Sequence, residues 1–204
     1  MANQDAPFGF RAIGGMGSSY ETQGTSTYQI NDNWTNAIFQ GDLVGAGDGS
    51  ATDRAGTTSV KGYVFGSIAA TTLNLGVFNG CFYIDPTTSK PTWKNYYPAL
   101  TNITTGTIEA YCYDNPQQLY EVQTSGTLTQ TDVGSLIDQA TYVAGSTLNG
   151  HSVTEIGGTS QITTAQFRIV RLSGDPSNSD TGNANSNWVV RLNESIYYNS
   201  AILS

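Results

Sequence analysis

The side chains that could do chemistry are few and scattered. The chain has one histidine, His151, inside Asn149-Gly150-His151-Ser152. A single histidine excludes a multi-His metal site within one chain. It could still activate a nucleophile, but no Gly-x-Ser-x-Gly elbow is present to offer one. Asp180-Thr181-Gly182 spells the aspartic-protease tripeptide, whose chemistry needs two buried carboxylates sharing a proton. Its flanks, Asn178-Ser179 and Asn183-Ala184-Asn185, are fully polar, so burial is not expected. Asp175, Asn178, Asp180 and Asn183 offer oxygen ligands, but their spacing departs from the calcium-loop pattern. A pair among Glu21, Glu109, Glu121, Glu155 and Glu194 could hydrolyse a glycoside only at a set carboxylate separation, which spacing in sequence does not supply. No Walker loop or Gly-x-Gly-x-x-Gly stands between a strand and a helix. The residues predict no enzyme, no cofactor and no metal.

The totals point the same way. The chain has 204 residues, 23 glycines and only 12% charged residues. Twelve tyrosines and seven phenylalanines supply bulky side chains that favour strands. Low charge with this aromatic content argues against wholesale disorder. Sixteen acids against eight bases give a net charge of −8. Nucleic acid and anionic membrane surfaces are therefore disfavoured partners, since both need a basic patch. Residues 1–5 carry no basic region followed by an apolar one, so no signal peptide is expected. Assembly in a cytosol follows, and Cys81 and Cys112 then read as buried free thiols before a disulfide.

The elements read as an all-β chain with little helix. Residues 73–86 form the densest apolar stretch, ended by Asp85-Pro86. Gly76 and Gly80 within it predict bulges or close backbone approach. Strands are expected at 37–44, 60–68, 107–114, 119–123, 162–172 and 188–196. In 107–114, Ile108, Ala110 and Cys112 share one face. In 162–172 the apolar parity shifts between Phe167/Ile169 and Val170/Leu172, which predicts a bulge. In 188–196, Trp188, Val190, Leu192 and Ile196 are expected inward, with Val189 and Arg191 outward. Glu194 is the exception on the inward face, expected at a sheet edge in water. Residues 132–140 are the best candidate for a helical turn, too short to stand alone. Residues 174–187 read as a long, mobile polar tip. Many short strands with turns between them predict an antiparallel sandwich or barrel.

Residues 1–35 lack any sustained period and read as an extended N-terminal arm. Phe8, Phe10, Tyr20, Tyr28 and Trp34 have no local apolar partner, so the arm is expected to dock on a neighbouring chain. Residues 36–204 then form the β domain, either single or as two packed subdomains divided near 98–106. Trp93, Tyr96 and Tyr97 could be core, interface or a sugar-stacking platform.

Several short blocks add a resemblance. Ala6-Pro7-Phe8-Gly9-Phe10-Arg11 looks like the start of a family of tailed-phage virion structural proteins. Gln40-Gly41-Asp42-Leu43-Val44, Gly76-Val77-Phe78-Asn79-Gly80-Cys81-Phe82-Tyr83, Asp114-Asn115-Pro116, Tyr120-Glu121-Val122-Gln123 and Val189-Val190-Arg191-Leu192-Asn193 follow in a similar order. Ala12 stands where the family usually has proline. The resemblance implies a head decoration, or cement, protein: an all-β subunit on the outer surface of the virion, often a homotrimer, that clamps the major capsid protein. It implies Pro7, Phe8, Phe10, Arg11, Tyr20 and Tyr28 as capsid or subunit contacts. A head–tail connector or tail component, and a carbohydrate-binding module, are the competing expectations.

Overall fold

A computed structural model describes residues 3–16, 24–30, 36–47, 63–66, 74–99 and 107–197. The expectations at Glu21, Tyr20 and Trp34, and most of the 98–106 boundary, lie outside the described residues.

The chain is all-β, as its composition predicts. Strands β1 (Arg11–Gly15), β10 (Gln118–Gln123), β13 (Asn187–Leu192), β12 (Phe167–Leu172) and β11 (Leu136–Ile137) form one antiparallel sheet in the order β1-β10-β13-β12-β11. A second sheet runs β4 (Leu43–Gly47), β5 (Tyr63–Gly66), β2 (Ser26–Ile30), β9 (Glu109–Tyr113), β6 (Asn74–Ile84) and β7 (Pro91–Lys94). It curls until β4 also pairs with β6. The β2–β5 pair is parallel; the other pairs of this sheet are antiparallel. A small pair joins β3 (Ile38–Phe39) to β8 (Tyr96–Tyr97).

The apolar run 73–86 finds its explanation in two cores. Phe10, Tyr120, Val122, Phe167, Ile169, Trp188 and Val190 build the first. Ile30, Ile38, Leu75, Phe78, Cys81, Tyr97 and Cys112 build the second. Strands β4 and β6 feed both: Leu43 and Val77 enter the first core, Val44, Leu75 and Phe78 the second. A strand buried on both faces needs a nearly continuous apolar sequence. A Cβ on Gly76 would collide with the Tyr113 carbonyl oxygen, and the β6–β9 register shifts between Phe78 and Gly80. Both glycines thus serve the close approach and the bulge that the sequence predicts.

Four expectations need correction. The described parts of 1–35 are not a free arm: β1 pairs with β10, and β2 lies between β5 and β9. The partners of Phe10 and Tyr28 lie far along the same chain. The expected helical turn over 132–140 is confined to its first residue: a 3-10 turn spans Gln130–Asp132, with the Asp132 carboxylate accepting from the Thr129 amide at 2.8 Å, and 133–140 hold no helix. The turn then gives way to pairing with β12: Gly134 N–H donates to the Ile169 carbonyl at 2.9 Å, and β11 begins at Leu136. The polar loop 174–187 is anchored rather than free, with Asn178, Ser186 and Asn187 buried. In β13, Val189 is buried together with Trp188 and Val190, because the strand lies between β10 and β12 with both faces covered.

The parity shift in β12 does mark a bulge, between Ile169 and Arg171. That strand begins at Phe167, and Ile162 is exposed. Glu194 lies beyond the end of β13, half-buried, and burial raises its carboxyl above the usual range.

Candidate interface cleft

Strand β1 builds the site by its period of two. Phe10, just before it, enters the first core, stacked on Phe167 at 4.5 Å between centroids. Arg11, next in the chain, faces the other way and its side chain is 60% exposed. Its guanidinium pairs with Glu121 on β10, through Nε at 3.2 Å and through Nη2. The register that sets Arg11 opposite Glu121 brings them together. Glu121 is buried and also accepts from the Ser173 hydroxyl. The guanidinium lies over the Phe8 ring, 4.8 Å from its centroid. Such stacking keeps an arginine in place while its outer edge stays open to a partner.

Beside this pair lies a cleft of about 310 Å³. Phe8, Phe10, Arg11 and Ala12 form one wall; Val77, Phe78 and Asn79 of β6 and Tyr113 form another; Gln40, Gly41 and His151 complete it. Gln40 donates to the Asn79 side chain at 2.9 Å. The exposed His151 sits where the loop 149–152 runs beside Gln40, tied by Gln40 N–H to the Gly150 carbonyl at 3.0 Å and Ser152 N–H to the Gln40 carbonyl at 2.9 Å. An apolar floor with a cationic rim suits an apolar side chain next to an anionic group.

The implied contact residues divide. Phe8, Phe10 and Arg11 meet in this cleft. Phe10 is 2% exposed, however, so its ring is a core group of its own chain. Pro7 is half-buried and outside the lining. Tyr28 lies elsewhere, on β2; its hydroxyl donates to the Asp114 carboxylate at 2.6 Å and stands 2.7 Å from the Tyr197 hydroxyl. Burial and the Asp114 carboxylate push the Tyr28 phenol up. Trp93, Tyr96 and Tyr97 do not form a sugar platform: Trp93 is exposed, Tyr97 is fully buried and Tyr96 stacks on Phe39.

Sequence reading passed over Asp42. It is fully buried between β3 and β4. One carboxylate oxygen accepts from the Ser152 hydroxyl at 2.6 Å and the Thr154 hydroxyl at 3.3 Å. The other accepts from the Phe39 amide at 2.8 Å and the Tyr142 hydroxyl at 3.4 Å. The signal was available as a lone acid inside the apolar run Ile38 to Val44. Burial raises its carboxyl, against the lowering pull of those donors. This knot ties β3 and β4 to the loop that carries His151, and so holds one wall of the cleft.

The remaining candidate groups are occupied or dispersed. Asp175 accepts from Ser177 and Asn187, and Asp180 from Asn183. Among the described residues no group of three or more His, Cys, Asp or Glu side chains converges. Cys81 and Cys112 are free and buried on neighbouring strands, with Phe78 opposite Cys112 and Cys81 opposite Ala110. Burial pushes the Cys81 thiol up to about 12 and the Cys112 thiol up as well. Neither forms a nucleophilic thiolate near neutral pH. A disulfide-exchange reagent is expected to leave both thiols untouched in the native protein and to titrate two after unfolding in denaturant; rapid native labelling would contradict their burial.

No protein-family model matches this chain, and neither the curated proteins nor the solved structures include a match to it.

Proposed function

We propose that the chain is a bacteriophage head decoration protein. It binds the lattice of the major capsid protein on the outer surface of the virion, as a homotrimer, and stabilises the head. One observation carries the reading: the scattered blocks behind the family resemblance meet at one junction. Phe10 N–H donates to the Gly41 carbonyl, Gly41 N–H to the Phe78 carbonyl and Phe78 N–H to the Asp42 carbonyl, each at 2.9 Å. Arg11 pairs with Glu121, and Tyr120 stands opposite Val190 in the β10–β13 pairing. The blocks are therefore neighbours in the fold, which supports reading them together. A cement protein needs rigid surface and many weak lattice contacts that add through effective concentration, and it needs no active site.

The capsid contact is the Phe8–Arg11 wall of the cleft, where an aromatic and an arginine stand together as anchors. Mixing the purified protein with undecorated capsids and imaging the particles tests the reading. Regular occupancy at lattice positions is expected. Phe8→Ala is expected to weaken capsid binding about tenfold or more, while its thermal midpoint stays within a few degrees of the parent. Absence of binding by the parent protein rejects the decoration role. Densitometry of virions showing about a dozen copies or fewer, instead of the hundreds that many weak lattice contacts require, favours a head–tail connector or tail component.

A further inference from the structure

The cleft beside β1 is basic in an acidic molecule. Among the described residues that line it there is no Asp or Glu, although the chain has sixteen acids and a net charge of −8. Arg11 and His151 line it instead. Arg11 is paired along one edge only. Its Nε and Nη2 both donate to Glu121 Oε2, and the other oxygen of Glu121 accepts from Ser173. A guanidinium has more N–H donors than that pair uses. Nη1 has no acceptor among the described residues. The pair is also layered: the Arg11 side chain is 60% exposed and that of Glu121 only 9%. A partner meets the cation in front, with the carboxylate behind it.

The opposite wall offers neutral groups of both kinds. Gln40 Nε2 donates to Asn79 Oδ1 at 2.9 Å, which orients both amides. Gln40 Oε1 and Asn79 Nδ2 are left without partners among the described residues. One acceptor beside one donor matches the N–H and C=O groups of an extended chain. His151 adds a ring N–H, which imidazole carries whether charged or neutral. These walls are preformed, because backbone bonds join Phe10 to Gly41, Gly41 to Phe78 and Gln40 to the loop that carries His151. At about 310 Å³ the cleft has the size of a small-ligand site, so it takes a side chain and its adjoining main chain.

We infer that the cleft binds an extended acidic–apolar segment of the capsid partner. An apolar side chain lies on the Val77–Phe78 floor, its main chain meets Gln40 and Asn79, and a neighbouring Asp or Glu side chain takes the open edge of Arg11. A lining without acids and an outward guanidinium select a carboxylate over its amide, through a charge-assisted bond. The identity of the partner rests on the decoration role; the chemistry of the cleft does not, so the protein alone tests it. The parent and Asn79→Asp proteins are titrated with acetyl-Asp-Phe-Asp-amide, acetyl-Asn-Phe-Asn-amide and acetyl-Asp-Ala-Asp-amide, and amide chemical shifts report binding. For the parent, the first peptide is expected to shift Arg11, Gln40, Asn79 and His151 saturably and to bind about tenfold or more tightly than either control. Asn79→Asp keeps the acceptor for Gln40 but places a carboxylate in the cleft, so it is expected to abolish the preference for Asp over Asn. Either control binding as tightly as the first peptide, shifts that miss those residues, no binding at all, or a preference that survives Asn79→Asp overturns the inference. A parent that selects the Asp-Phe-Asp peptide but leaves undecorated capsids bare keeps the site and rejects the decoration role. Capsids decorated by a parent without that selectivity do the reverse.

Discussion

Phe10→Ala is expected to lower the unfolding free energy by about 3–5 kcal/mol. The ring is 2% exposed, stacks on Phe167 at 4.5 Å and meets Tyr120 edge-on at 6.4 Å. Truncation removes the buried ring from both aromatic pairs and leaves a cavity between β10 and β12. A typical domain is stable by only about 5–15 kcal/mol, so the variant stands near the limit of folding. Phe10→Leu refills most of the space and is expected to lose much less, under about 2 kcal/mol. Urea unfolding of the three proteins provides the comparison, with Phe8→Ala as the surface control. A Phe10→Ala loss no larger than that of Phe8→Ala would mean that Phe10 is not the core anchor of the N-terminal segment.

Asp42→Ala has the second large effect, about 3 kcal/mol or more, for a different reason. It leaves the Phe39 amide without its acceptor and strips Ser152, Thr154 and Tyr142 of theirs; each buried orphan is worth about 1–3 kcal/mol. Asp42→Asn should be much milder, about 1 kcal/mol. Its oxygen can keep the Phe39 amide, while the hydroxyls of Ser152 and Thr154 can rotate to accept from the new NH₂ group. Asp42 also sets part of the pH response. Desolvation raises the folded-state carboxyl above its unfolded value. The folded state then binds the proton more tightly than the unfolded state. This contribution to stability is largest at or below the ordinary carboxylate range, about pH 4, and declines as pH rises through the raised folded value. Asp42→Asn should flatten that part of the slope in thermal melts taken across pH. An unchanged slope would remove Asp42 as its source. Glu155 and Glu194 shift in the same direction by partial burial, while Asp85 and Asp132 shift in the opposite direction through hydrogen bonds.

Local pattern carried the strands well and the partners poorly. Alternation placed Ile108, Ala110 and Cys112 on one buried face, and parity alone located the bulge near Val170. Gly76 and Gly80 announced the close contacts of β6. The N-terminal segment was misread because Phe10 has its partners at Tyr120 and Phe167, beyond the reach of any local period. Val189 was placed outward because alternation cannot tell a strand covered on one face from one covered on both. The loop 174–187 reads as a free tip because polarity alone does not reveal a side chain's partner, whereas Asn178 and Asn187 bond to other buried amides. For the cleft, the aromatic–arginine cluster near the N-terminus was legible as Phe8, Phe10 and Arg11. Its second wall, from β6, Gln40 and His151, exists only through tertiary pairing.

The place of β1 in the first sheet also has a consequence for synthesis. Its Arg11 pairs with Glu121, 110 residues later. The strand β10 that receives it is completed on its other side only by β13 at Asn187–Leu192. A ribosome adding about 5–20 residues per second needs on the order of 10–35 s to pass from β1 to the end of β13. Through that interval Phe10, just ahead of the first strand, has neither Tyr120 nor Phe167 in place around it, and the sheet cannot close. Folding of this half is therefore slow, as expected where pairing is remote in sequence. A nascent chain cannot present the Phe8–Arg11 wall in its native setting until β10 has arrived, so recognition through that wall is reserved for chains that have been synthesised past it.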